Sequence, residues 1–209
     1  MTTSPQSVIT GAVEGPVDEA VLRRLVIHVH ATPGSVYGKS GKTSLRRSIG
    51  KYNQAARRSS WLILVDLDHD ADCAPALRAS WLPNPERGMC FRIVVREVEA
   101  WLLADPERFA AFLGIAISRV PRDPENIEDP KRFIVGLATH SRRRDIREDM
   151  VPRPGSGRAV GPAYTSRLIQ YATDMNSGWR PDVAAGHADS LSRCLRSLRR
   201  LGVLEKEDR

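Results

Sequence analysis

Apolar and polar positions alternate along this chain in short blocks, and each block has a period that names its element. Residues 7–13, SVITGAV, are β-rich and predict a first strand. Val17, Ala20, Val21 and Leu25 follow as a helical stripe, with Pro16 suited to the helix's first turn. Residues 25–31, LVIHVHA, predict a second strand, and Thr32 to Gly41 a glycine-rich loop. Leu45, Ile49, Tyr52 and Ala56 mark a helix over about 42–58. Trp61 to Val65 is unbroken apolar sequence, as in a strand covered on both faces. A helix over about 74–81, a strand over 90–96 and the apolar stretch EVEAWLLAD complete the first half. Residues 114–130 are rich in Pro, Asp and Glu and read as a loop; helices are expected over 130–140, 162–173 and 188–201, the last capped by Asp189 or Ser190. Strand alternating with helix predicts an α/β fold, with a mainly parallel sheet flanked by helices on both faces and a C-terminal helical extension. The expected division is a core over 1–113 and an extension over 114–209.

The acids stand where that pattern puts ligand sites. In open α/β sheets these lie beyond the carboxyl ends of the strands. Asp66, Asp68, Asp70 and Asp72 follow the apolar run 61–65, and Glu14 and Asp18 follow the first strand. Asp66 and Asp68 share one side if the chain stays extended. Glu14 and Asp18, four apart, face the same way if that turn is helical. Converging carboxylates repel unless a cation or proton neutralises them. A hard oxygen set without His or Cys suits magnesium or manganese. Glu97 or Glu99, at the next strand–helix junction, could join the set or simply favour the positive end of a helix. A solvated acidic turn remains the plain alternative.

Charge sharpens this picture. The chain carries 32 Lys and Arg against 25 Asp and Glu, a net of +7. Between Glu19 and Asp66 there is no acid, while Arg23, Arg24, Lys39, Lys42, Arg46, Arg47, Lys51, Arg57 and Arg58 fall there. Such a window attracts phosphate backbones, and Lys39, Lys42 and Arg46 are the candidate phosphate contacts. Arg193, Arg196 and Arg200 share one face of the last helix and Leu191, Leu195 and Leu198 another; the leucines are expected to pack inward and the arginines to stay exposed.

Several chemistries are excluded. GKS at 38–40 and GKT at 41–43 lack the earlier glycine of a phosphate-binding nucleotide loop, because Pro33 and Val36 stand there. An EF-hand fails at Ala71 and Leu77, where it requires Gly and Glu. His28 and His30 could ligate a metal from a strand, but read more simply as strand side chains. Cys73, Cys90 and Cys194 form neither a zinc spacing nor an evident disulfide framework. With no run long enough for a membrane span and no signal-like character in MTTSPQS, the expected location is the cytoplasm.

Glu14-Gly15-x-x-Asp18 after one strand and Asp66-x-Asp68 after another resemble the Toprim fold of topoisomerases, primases and OLD-family nucleases. VEGPVDEAVL, VDLDHDADC, REVEAWLLAD, GPAYTSRLIQYA and ADSLSRCLRSL together resemble the uncharacterised-domain family numbered four-two-seven-six. The resemblance implies a site for metal-dependent phosphoryl transfer. It assigns metal binding to Glu14, Asp18, Asp66, Asp68 and Glu99, and catalysis to Glu14, Asp66 and Asp68. It also implies a setting in phage defence with a separately encoded ATPase as partner. The expected activity is phosphodiester hydrolysis of DNA or RNA with Mg2+ or Mn2+. The alternative is a non-catalytic nucleic-acid-binding or regulatory module of an ATPase complex. No Tyr stands as an evident covalent nucleophile, which argues against strand passage.

Overall fold

Four strands form one parallel sheet in the order β2-β1-β3-β4: β1 (Val8–Val13), β2 (Thr32–Gly38), β3 (Ser60–Asp66) and β4 (Met89–Val94). Helices α1 (Pro16–His28), α2 (Lys42–Ala55) and α3 (Ala74–Trp81) connect them in turn. The α/β class expected from the alternation of elements is the class observed. This computed structural model describes residues 7–68 and 73–207, with side chains to residue 201. Within it the chain forms two units: residues 1–94 with 192–209, and residues 95–191. The division falls earlier than the boundary at 113/114 read from the sequence, and the end of the chain returns to the first unit.

Strand order decides where the connecting helices lie in the first unit. From β1 the chain steps to β2 on one side, then crosses back to β3 and continues to β4. Right-handed crossovers therefore put α1 on one face and α2 and α3 on the other. The side chains agree. Leu45 and Ile49 of α2, with Leu77 and Trp81 of α3, share a core with Ala12, Trp61, Ile63, Val65, Phe91 and Ile93. On the opposite face Gly11 lets α1 approach closely, since a Cβ there would meet Leu22 Cδ1 at 2.7 Å. Burial and the neighbouring Cys90 raise the thiol pKa of Cys194, which the last helix brings to β4. Cover on both faces explains why β3 is apolar without interruption and buried from Ser60 to Val65.

The second strand departs from expectation. Residues 25–28 end α1, because Leu25 and Val26 continue its buried stripe beside Val21 and Leu22. His30 then turns the chain with φ 61°. Thus His28 closes a helix and His30 sits exposed in a turn, and the two-histidine strand does not form. The strand is instead TPGSVYG, within the stretch read as a loop. It lies at the sheet edge, where little burial is required and Pro33 is tolerated.

The second unit is helical. It contains α4 (Val98–Leu103), α5 (Pro106–Leu113), α6 (Pro130–Thr139), α7 (Arg144–Met150), α8 (Tyr164–Thr173), α9 (Pro181–Ala184) and the first turn of α10 (Asp189–Glu207). Two fully buried tryptophans anchor it. Trp179 Nε1 donates to Trp101 O at 2.9 Å, and Trp101 Nε1 donates to Ser190 Oγ at 2.7 Å. Glu125 accepts from the backbone N–H groups of Asp189 and Ser190 at 3.0 and 3.1 Å. The capping carboxylate at the start of α10 therefore comes from the loop expected over 114–130. Along α10, Leu191, Leu195 and Leu198 are buried while Arg193, Arg196 and Arg200 are exposed, as the spacing requires. No helix among the described residues is long and apolar enough to cross a membrane.

Candidate functional site

Strands β1 and β3 are neighbours, but their chains leave in opposite directions, so the topological switch point lies between their carboxyl ends. That is where ligands bind in open parallel sheets. Glu14 directly follows β1, and Asp66 ends β3. Across the crevice the Asp66 N–H donates to Glu14 Oε1 at 3.0 Å. Gly15 is extended and α1 begins at Pro16, so Glu14 precedes the helix and its relation to Asp18 is not the helical one. Asp18 is buried in the first turn. Its Oδ2 lies 3.0 Å from the position of a Cβ on Gly15, so the carboxylate folds back over that glycine.

Beyond Asp66 the chain stops being extended. Leu67 still donates to Val94 O at 2.8 Å, but Asp68 adopts φ 47°. Asp66 and Asp68 therefore do not share a side through strand alternation. What joins them is Lys42. Its Nζ donates to Asp66 O at 2.5 Å and to Asp68 Oδ2 at 2.8 Å. Asp70 and Asp72 lie outside the described residues.

The loop before α2 fixes this lysine. Gly38 and Gly41 have φ of 87° and 82°, and a Cβ on Gly38 would meet Val13 O at 2.2 Å. Lys39 N donates to Val13 O at 2.9 Å and Gly41 N to Glu14 O at 3.2 Å. The glycines that imitate a nucleotide loop thus tie α2 to the end of β1. Lys39 itself pairs with Glu19 at 3.0 Å, and Arg23 holds the same carboxylate at 2.8 Å. Burial pushes the Glu19 pKa up, but these two cations outweigh it and keep the carboxyl below its ordinary range. Arg46 lies over the Trp81 ring, 5.6 Å from its centroid. Of the three basic residues assigned to phosphate, two therefore hold acids of the same unit, and Arg46 is the one presented on an aromatic face.

Among the described residues no three His, Cys, Asp or Glu side chains are grouped so as to hold a metal ion by themselves. Magnesium does not need such a cage, because one or two carboxylates with waters and substrate phosphate suffice. The Lys42 ammonium stands at this edge on the Asp66 backbone carbonyl and one Asp68 carboxylate oxygen. The acids of this edge among the described residues do not form a closed structural metal site; an open one, completed by water and substrate, would draw on Glu14, Asp66 and Asp68.

Glu99 lies in the second unit and is 4% exposed. Lys131 Nζ stands 3.8 Å from its carboxylate and 3.1 Å from that of Glu97, and Tyr164 Oη donates to Glu99 Oε1 at 3.4 Å. Burial drives its carboxyl pKa above the ordinary range, against the pull of Lys131. A carboxyl raised on folding binds its proton more tightly in the native state, so its contribution falls as pH rises from about 4.3 through the folded value. Glu99→Gln is expected to flatten this dependence and to gain on the wild type as pH increases. Urea unfolding from pH 4 to 8 checks it, and parallel curves for the two proteins would refute it.

A family model described as a domain of unknown function (DUF4276) matches residues 13–151. The chain belongs to this family. No curated protein and no solved structure matches it. The DUF4276 match runs from the last residue of β1 through α7 and so includes Glu14, Asp18, Lys42, Asp66, Asp68 and Glu99. Lys42 is the site residue whose role sequence reasoning missed. The available signal was its position at the first turn of the helix that feeds β3.

Proposed function

We propose that this DUF4276 chain is a divalent-metal-dependent phosphodiesterase acting on DNA or RNA in the cytoplasm. One observation carries the reading: Glu14 meets Asp66 at the switch point of a parallel sheet, beside a cation held by Asp66 and Asp68. The Toprim-like order of EGxxD and DxD supports it. When bound, a magnesium or manganese ion supplies activation of water and neutralisation of the leaving oxygen. Glu14, fixed by the Asp66 N–H, serves as proton acceptor for the attacking water. Asp66 and Asp68 provide the negative field that retains the cation, and Asp18, buried in the first turn of α1, adds to it. Lys42 neutralises part of that field and keeps the edge folded in the absence of metal. A separately encoded ATPase is the proposed partner, as the family resemblance implies.

The second reading, a non-catalytic nucleic-acid-binding module, is favoured by the fact that Lys42 already supplies a cation to this edge. Incubation of the purified chain with DNA and RNA, single- and double-stranded, in manganese, magnesium or EDTA tells the two apart. Cleavage in metal and none in EDTA is the expected result. Binding without cleavage in every condition, also with the ATPase present, leaves the second reading.

A further inference from the structure

A cavity of about 510 Å3 opens beside the acidic edge, between α2 and α3. Lys42, Thr43, Arg46, Leu77, Ser80 and Trp81 line it. Its size is that of a small-molecule or single-nucleotide site. It is continuous with the switch point through Lys42, whose ammonium lies 2.8 Å from Asp68.

The charges in it are unequal. Lys42 shares its charge with Asp68, whereas Arg46 is exposed and held over Trp81. This leaves about one positive charge for a ligand, which suits a phosphodiester, with one negative charge, better than a doubly charged phosphomonoester. A guanidinium stacked on an aromatic ring is oriented at little entropic cost and presents a fork to phosphate oxygens. Thr43 adds a hydroxyl suited to phosphate or sugar oxygens, while Ser80 Oγ, which donates to Leu77 O at 2.8 Å, can accept from a sugar hydroxyl. The stacking surface for a base is missing here, because Arg46 covers one face of Trp81 and Trp81 also stacks with Phe91 at 6.2 Å. Phosphate and sugar contacts carry position but no sequence.

We propose that this cavity seats the phosphate and sugar next to the attacked phosphodiester, so that the substrate is a polynucleotide with at least two consecutive phosphates, gripped without reading its bases. The proposal rests on the phosphodiesterase reading for the word "attacked", but the subsite itself is testable without catalysis. Fluorescence anisotropy in EDTA, with labelled single-stranded oligonucleotides of one to six phosphates, reads it directly. Wild-type affinity is expected to step up between one and two phosphates, equally for different base compositions. Arg46→Ala should lose that step and lower the salt slope by about 0.7; Arg46→Lys, which keeps the charge, should restore the slope. A step of the same size in Arg46→Ala, or a wild type that prefers one base composition, overturns the proposal. The expected binding pattern in a protein that never cleaves upholds the subsite and removes the nuclease reading alone.

Discussion

If the proposed activity holds, Asp66→Asn is expected to lower metal-dependent hydrolysis by about two orders of magnitude or more while the protein stays folded. The size is that of losing a principal electrostatic contact to the transition state. The backbone of Asp66 is itself tied into the crevice. Its N–H donates to Glu14 and its carbonyl accepts from Lys42, and neither bond involves the exchanged side chain. The variant can keep both of these bonds while it removes one charge. Asp68→Asn is a less clean exchange, since the Asp68 carboxylate is the partner of Lys42. Circular dichroism and a thermal melt in EDTA establish that Asp66→Asn is folded, and cleavage rates in manganese give the effect. Retention of the full rate by a folded Asp66→Asn protein would sink the catalytic reading.

The largest stability effect belongs to the second unit. Asp105 is fully buried, and its carboxylate gathers four donors. Oδ2 accepts from Arg180 N and Nε at 3.0 and 2.9 Å, and Oδ1 accepts from Arg180 Nη2 at 2.7 Å and Arg108 N at 3.4 Å. An amide in place of this carboxylate turns an N–H2 group toward donors and leaves a part-buried guanidinium with only the exposed Glu107 as counter-charge. Breaking a buried pair from one side costs about 3–5 kcal/mol, so Asp105→Asn is expected to lose about 3 kcal/mol in urea unfolding. Glu107→Gln is the control. Glu107 also meets Arg180 Nη2, at 2.9 Å, but its side chain is 69% exposed, and exposed pairs contribute at most about 1 kcal/mol. Equal losses in the two variants would show that Arg180 is not anchored by burial.

The parts of the fold legible in the sequence are those whose side chains face a single demand. β3 is buried on both sides, and α3 runs over Ala74–Trp81 as its pattern indicates. The misread strand faced conflicting demands. LVIHV looks like a strand, yet Leu25 and Val26 complete a helix that needs them, while edge strand β2 manages with Thr, Pro, Gly and Ser. At the site, Glu14 and Asp66 were legible because acids after apolar strands reach one edge of a parallel sheet. Lys42 was not, because its bond to Asp68 depends on strand order, which brings α2 past the end of β3. The Glu125 cap on α10 was invisible for the same kind of reason: its two ends lie far apart in sequence.

The first unit is built from both ends of the sequence, residues 1–94 and 192–209. Synthesis therefore delivers its pieces at different times. All four strands leave the ribosome before the helix that carries Cys194, and the whole second unit is made in between. At about 5–20 residues per second, translation of that interval takes about 5–20 s. For that time the Cys90 side of β4 is without the helix that carries Cys194, so the first unit is incomplete until its last segment has been made. A ribosome stalled just before residue 192 should hold the first unit in that state, and one stalled well beyond residue 209 should release it.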